Sequence, residues 1–210
     1  MMSIFNLPTS TNLKQRLKSG FEKKFKSRKL FEDIDKIILI HKLSKNTINI
    51  SPTDNVLEIL IFQIDLKVYN IPTKAINTII SAIPYPILFY FTYKEEFCYG
   101  VSLIKEKKLY LAPWNKQIEF DFNDTNLERV YQDIVKKFLI NLDKIENLKN
   151  KEIDFQKAVK LDKEIEDLQK KINILKSKRD KQKQFNKKAE LNKELKQLQK
   201  ELEKLKESVK

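Results

Sequence analysis

Apolar residues recur along this chain with more than one period, and the changes of period divide it. Leu13, Leu17, Phe21 and Phe25 step by four, and Leu30, Ile34, Ile37 or Ile38 and His41 carry the stripe past the Lys26-Ser27-Arg28-Lys29 break. That spacing predicts helix through much of residues 1–45, after an extended lead. Two strand-like runs follow, Thr47 to Ile50 and Val56 to Val68; the intervening Ser51-Pro52-Thr53-Asp54-Asn55 is turn chemistry, so the pair reads as a hairpin. Thr73 to Ala82 reads as a short helix stopped by Pro84, and Tyr85 to Tyr93, Phe97 to Lys105 and Leu109 to Pro113 read as strands. The turns are too short for crossover helices, which predicts a largely antiparallel sheet. Leu127, Val130, Ile134 and Phe138 place a covering helix over Asn126 to Leu142. The expected fold class is α+β, a largely antiparallel sheet with flanking helices, over residues 1–145.

The last stretch, residues 146–210, has no proline and a heptad pattern. Ala158, Leu161, Ile165, Leu168, Ile172 and Leu175 form one stripe, and Leu191, Leu195, Leu198, Leu202, Leu205 and Val209 form another. Lys176 to Gln184 interrupt them with polar and basic residues, after which Asn186 reads as an N-cap. A single helix would leave about two turns of seam without apolar residues, so an antiparallel coiled-coil hairpin is expected, each arm on the order of 35 Å long. A seam this narrow buries little by itself. Leu161, Ile165, Leu168, Ile172, Leu175, Leu191, Leu195, Leu198, Leu202 and Leu205 are therefore the candidate partner-docking residues, for another protein or a second copy of this chain.

Charge adds a second division. From Lys14 to Lys45 there are 11 basic and 4 acidic residues, the middle to Asn150 is nearly neutral, and Lys151 to Lys210 holds 19 basic and 12 acidic residues. Abundant Lys, Ile and Asn are the mark of an AT-biased genome, which accounts for a high total but not for clustering. Two basic patches result. The first comprises Lys14, Arg16, Lys18, Lys23, Lys24, Lys26, Arg28 and Lys29; the second, where the hairpin reverses, comprises Lys176, Lys178, Arg179, Lys181, Lys183, Lys187 and Lys188, offset only by Asp180. Both are candidate contacts to nucleic-acid backbone, and no base-reading motif accompanies them.

Several chemistries drop out. Gly20 and Gly100 are the only glycines and lie in no Gly-rich run that could cradle a pyrophosphate, so nucleotide-loop and dinucleotide folds are excluded. Cys98 and His41 are alone of their kinds; a structural zinc site is not expected, an intrachain disulfide is ruled out, and His41 on an apolar stripe reads as a core histidine. No cofactor is expected. The start Met1-Met2-Ser3-Ile4-Phe5 lacks a basic leader, and the most apolar run, Ala82 to Phe91, is short and carries Pro84 and Pro86. A soluble cytoplasmic protein is the expectation.

One constellation looks catalytic. Asp65-Leu66-Lys67 is an acidic-x-Lys tripeptide at a strand end, with Asp54 upstream after Pro52, as a metal-dependent nuclease would need if both carboxylates shared a divalent ion and Lys67 oriented a water. Within one strand the two aspartates lie roughly 36 Å apart at 3.3 Å per residue, and Glu58 or Glu32 would have to substitute for Asp54.

Phe5-Asn6-Leu7-Pro8-Thr9-Ser10-Thr11, His41-Lys42-Leu43-Ser44, Glu58 to Lys67, Ile83-Pro84-Tyr85-Pro86-Ile87-Leu88-Phe89 and Lys183 to Asn192 together resemble the bacterial domain-of-unknown-function family 4391 over nearly the whole chain. The resemblance implies no established activity; it implies a setting, because members lie beside methyltransferase and helicase genes in restriction-type and phage-defence loci. The tail, with Phe185 at the turn and Ala189-Glu190-Leu191 opening the second helix, also resembles the UVR-type hairpin of excision-repair proteins, which implies protein docking. The function expected is a non-enzymatic accessory subunit of such an assembly, with a helicase or methyltransferase as partner. The alternatives are a nuclease using Asp65 and Lys67, or a purely structural coiled-coil adaptor.

Overall fold

In a computed structural model, which describes residues 5–103, 108–139 and 155–207, the chain separates into two packed units, Met1–Phe138 and Leu139–Lys210. The first unit is built on six strands: β1 (Asn12–Arg16), β2 (Ile34–Leu43), β3 (Ile59–Leu66), β4 (Ile87–Tyr93), β5 (Glu96–Leu103) and β6 (Lys108–Leu111). They lie in sequence order, each beside the next. Helices α1 (Lys18–Lys24), α2 (Lys45–Ile48), α3 (Thr73–Ala82) and α4 (Leu127–Lys136) complete the unit, and α5 (Phe155–Lys181) and α6 (Phe185–Glu207) form the second.

The α+β class and its mostly antiparallel sheet are as expected, with one exception. β3 and β4 pair parallel, Leu60 opposite Ile87 through Asp65 opposite Thr92. The connection contains α3, whose ten residues carry the chain back along the sheet as a parallel pair requires. Helix α3 spans the predicted residues: Ala75, Ile76, Ile79 and Ile80 make its buried face, and Ile83 leaves in extended conformation ahead of Pro84. These residues pack on one sheet face with Phe62, Ile64, Phe89, Phe91 and Cys98, together with Phe21 and Phe31.

Residues 12–48 depart from the helical expectation. Asn12–Arg16 is an edge strand paired with β2, and Ile34–Leu43 is β2 itself. Leu13 is 47% exposed, so it belongs to no core-facing stripe. A β2 buried on both faces reads as a near-continuous apolar run, which period-four counting confuses with helix. Only Lys18–Lys24 keeps the predicted helix, with Phe21 on its buried side. Thr47–Ile50 is not a strand: Ser44 and Thr47 form a capping box that starts α2, and Asn49 ends it in the left-handed region. β3 takes β2 as its antiparallel neighbour instead, and the predicted turn is a tight one in which Thr53 and Val56 exchange main-chain hydrogen bonds of 3.1 and 3.2 Å.

Two irregularities in β2 decide what each face holds. Its pairing with β3 slips between Ile34 and Lys36 and again between Leu39 and His41. Each extra residue swaps the following side chain to the other face, so Ile34, Ile37 and Leu39 join the α3 side while Lys36 and His41 turn away from it. On that second face Phe5 lies among the rings of His41, Tyr90, Tyr99, Phe120 and Phe122, and α4 reaches the sheet through the Tyr131 hydroxyl, which donates to the Ser102 carbonyl at 3.0 Å. Asn126 caps α4 by accepting from the Arg129 N–H at 2.9 Å. Gly100 in β5 is a close approach: an added Cβ would lie 3.0 Å from Leu111 and Phe91 side-chain atoms.

The tail folds as a hairpin. α5 and α6 pack side by side across a three-residue connection, Gln182 to Gln184, which makes them antiparallel and closes the seam within one chain. α5 runs to Lys181, through six of the nine residues expected to break it, and Asn186 lies inside the first turn of α6 rather than at its cap, because the Lys188 N–H already bonds the Gln184 carbonyl. Lys and Gln are good helix formers, so the polar stretch continues the helix without apolar support. Val209, the expected 145/146 boundary and residues 140–142 of the predicted α4 stretch lie outside the described residues.

Candidate functional site

The hairpin tip gathers the second basic patch. Lys176, Lys178, Lys181, Lys183, Lys187 and Lys188 are exposed, and no described carboxylate pairs with any of them. Arg179 differs. Its Nε and Nη2 both donate to Asp180 Oδ1, at 2.9 and 2.7 Å, so the one acidic residue at the tip is occupied by the one arginine. Six exposed ammonium groups therefore remain around the chain reversal, with Phe185 in the same stretch at 84% exposure. Below the tip, Ile165, Leu168, Ile172 and Leu195 are buried, whereas Leu161, Leu175, Leu191, Leu198, Leu202 and Leu205 stay half-buried. The docking residues expected from sequence are thus first used to hold the two arms together, and the half-buried ones keep apolar surface open along the seam.

The first patch is dispersed over three elements. Lys14 and Arg16 sit on β1, Lys23 and Lys24 on α1, and Lys26, Arg28 and Lys29 in the connection beyond it. Lys18 is half-buried and engaged: Nζ donates to the Ile34 carbonyl at 2.5 Å and lies 3.8 Å from Glu22. It ties α1 to β2 and is unavailable to an external anion. Lys14 adopts φ 52 at an irregularity of the β1–β2 pairing. A distorted, basic, short edge strand is a poor template for pairing with another chain.

Asp65 lies on the second face of the sheet, toward the carboxyl end of β3. Its Oδ1 accepts from Gln63 Nε2 and Thr92 Oγ1, each at 2.8 Å, and its Oδ2 lies 3.6 Å from Lys36 Nζ. Register explains the group: Lys36 and Thr92 flank Asp65 on the two neighbouring strands. The charged group beside Asp65 is an ammonium, not a second carboxylate. Asp54 precedes β3 by five residues while Asp65 is the last residue but one of the strand, and the strand from Ile59 to Asp65 alone spans about 20 Å. Glu58 is paired with Lys42 at 2.6 Å, and Lys67 lies past the strand end, exposed. Among the described residues, no three His, Cys, Asp or Glu side chains are placed to hold a metal ion. The arrangement is a cross-strand polar network; the Asp65 charge and burial together raise the pKa of Tyr90, burial being the larger cause.

His41 and Cys98, the two soft groups, are built in. His41 Nδ1 lies 2.9 Å from Thr11 Oγ1, whose own proton goes to the Pro8 carbonyl at 2.7 Å, so Nδ1 carries the hydrogen and donates. Burial lowers its pKa. Cys98 directs its thiol at the Tyr99 and Ala112 carbonyls, and burial pushes its pKa up to about 12. Neither is arranged as a nucleophile or its base.

The fold and the tip define an α+β domain carrying a basic helical hairpin. The sequence matches Domain of unknown function (DUF4391) over residues 5–202, and the chain belongs to that family. No curated protein and no solved structure matches it significantly. No described helix is long and apolar enough to cross a membrane.

Proposed function

We propose that this protein is a non-enzymatic, cytoplasmic accessory subunit that contacts nucleic-acid backbone through the basic hairpin tip and docks a protein partner along the half-buried seam of α5 and α6. The observation that carries this reading is the set of six exposed tip lysines without carboxylate partners, beside an Asp180 already held by Arg179. Lysines so placed bind phosphate as point charges, without base preference, and release counterions on doing so. The seam, similar to a UVR-type hairpin, suits a third helix, because its outer leucines keep apolar surface. Family resemblance supplies the setting, a bacterial restriction-type or phage-defence assembly with a helicase or methyltransferase as partner.

The test is a salt titration of binding to duplex and single-stranded DNA. Replacing Lys178, Lys181 and Lys183 with Gln, and sparing Arg179, removes up to three phosphate contacts, so the slope of log affinity against log salt falls by about 3 units on duplex. Thermal stability stays unchanged, since all three side chains are exposed. Unchanged affinity and slope would rule out the tip, and wild-type protein that binds no nucleic acid at low salt would leave the structural adaptor as the better reading.

A further inference from the structure

Three aromatic side chains from separate parts of the first unit meet at its surface. Tyr69 follows β3, Tyr93 ends β4, and Trp114 follows β6. The rings of Tyr69 and Trp114 lie 4.5 Å apart at 31°, and Tyr69 is 5.7 Å from Tyr93. Tyr93 and Trp114 pack partly against the α3-side core, but Tyr69 does not belong to it and is 54% exposed, with Val68 beside it 39% exposed. Tyr69 is thus held against Trp114 and Tyr93 with about half of its surface still in water.

The surrounding charge narrows what would occupy that surface. Lys67 is exposed two residues before Tyr69, and Lys94, in the left-handed region at the β4–β5 turn, holds its ammonium 5.3 Å from the Tyr93 ring centroid. Glu95 occupies the same turn and Glu96 opens β5, where its carboxylate is engaged by the Asn115 side-chain amide. An aromatic platform flanked by two lysines matches a planar base attached to a phosphate: the ring stacks and the ammonium groups meet the anion.

We infer that Tyr69, supported by Trp114 and Tyr93, is a stacking site for an unpaired nucleobase, with Lys67 and Lys94 contacting the adjoining phosphate. The site is built wholly from residues of the first unit, so the argument for it does not use the hairpin tip. Bases in a duplex are stacked on each other and do not offer a free face, so this site selects single strands.

Trp114 is the only tryptophan, so its emission reports directly on the platform. Full-length protein titrated with a short oligothymidylate shows saturable quenching, and a duplex of equal length gives none at the same concentration. Tyr69→Ala weakens the single-strand response about tenfold, the order expected for one lost base stack, and Tyr69→Phe retains it because the ring alone is needed. Lys67→Gln with Lys94→Gln shifts the response to higher concentration while circular dichroism stays unchanged. Thymidine monophosphate is the comparison for source: saturation as tight as the oligomer's makes a free nucleotide the ligand, and weaker saturation makes it a strand. Quenching that survives Tyr69→Ala, equal quenching by duplex, or no change in emission overturns the inference. The tip variant separates the two sites, because its loss of salt slope leaves Trp114 quenching amplitude intact if this site exists.

Discussion

Replacing Ser102 with Ala tests how the sheet is closed at the start of β4. Ser102 is 1% exposed, and its hydroxyl oxygen accepts the Ile87 N–H at 2.8 Å. Ile87 is fully buried, so no water can take over that donor. Serine and alanine differ little in volume, which removes any sizeable cavity contribution and leaves the unsatisfied N–H as the dominant cost, about 1–3 kcal/mol. Ser81→Ala, on the exposed last turn of α3, is the matched control and stays within about 0.5 kcal/mol. Urea unfolding followed by Trp114 emission is the assay, because the only tryptophan lies in the first unit, as do Ser102 and Ile87. The midpoint falls for Ser102→Ala at constant slope. A Ser102→Ala midpoint equal to that of Ser81→Ala would refute the reasoning, and would mean that the β4 amide finds another acceptor. Tyr131→Phe removes a different bond, to the Ser102 carbonyl, and is expected to cost about 1 kcal/mol.

Burial holds His41 neutral with its pKa below the ordinary 6.5, so the unfolded chain takes up a proton first as pH falls; His41 contributes stability that is full above 6.5 and is lost below it. Urea midpoints on either side of 6.5 should show the loss, and His41→Gln should flatten it. Cys98, with its pKa pushed up to about 12, should resist alkylation at neutral pH until the protein unfolds, so maleimide labelling rates should track urea-induced unfolding. Residues 1–145 should unfold cooperatively on heating without the tail, since the sheet and its two cores draw on residues before 139; a broad, non-cooperative transition would make the hairpin part of that core.

Where the chain states one period clearly, the sequence alone was sufficient. Helix α3 occupies the residues that its apolar spacing and Pro84 marked out, β4 falls within its predicted run, β5 and β6 each begin one residue ahead of theirs, and the heptads became a hairpin. The tip lysines were legible for the same reason: a charge cluster at a chain reversal is local information. From Leu13 to Ile50 the local signal was ambiguous, because a strand buried on both faces and a helix with a broad stripe are written with the same residues. Pairing with β3 decided it, and two one-residue slips in β2 then sent His41 and Lys36 to the face opposite Leu39. No local pattern marks such slips, since the extra residue is recognisable only against its partner strand. The withdrawal of Lys18 into a bond with Ile34, the Asp65 network with Thr92 27 residues away, and the stacking of Tyr69 on Trp114 are likewise contacts between distant positions. Sequence determined which residues were available for charge, apolar burial and turns; tertiary pairing alone decided which of them meet, because a side chain's neighbours across a sheet depend on register, which no single strand contains.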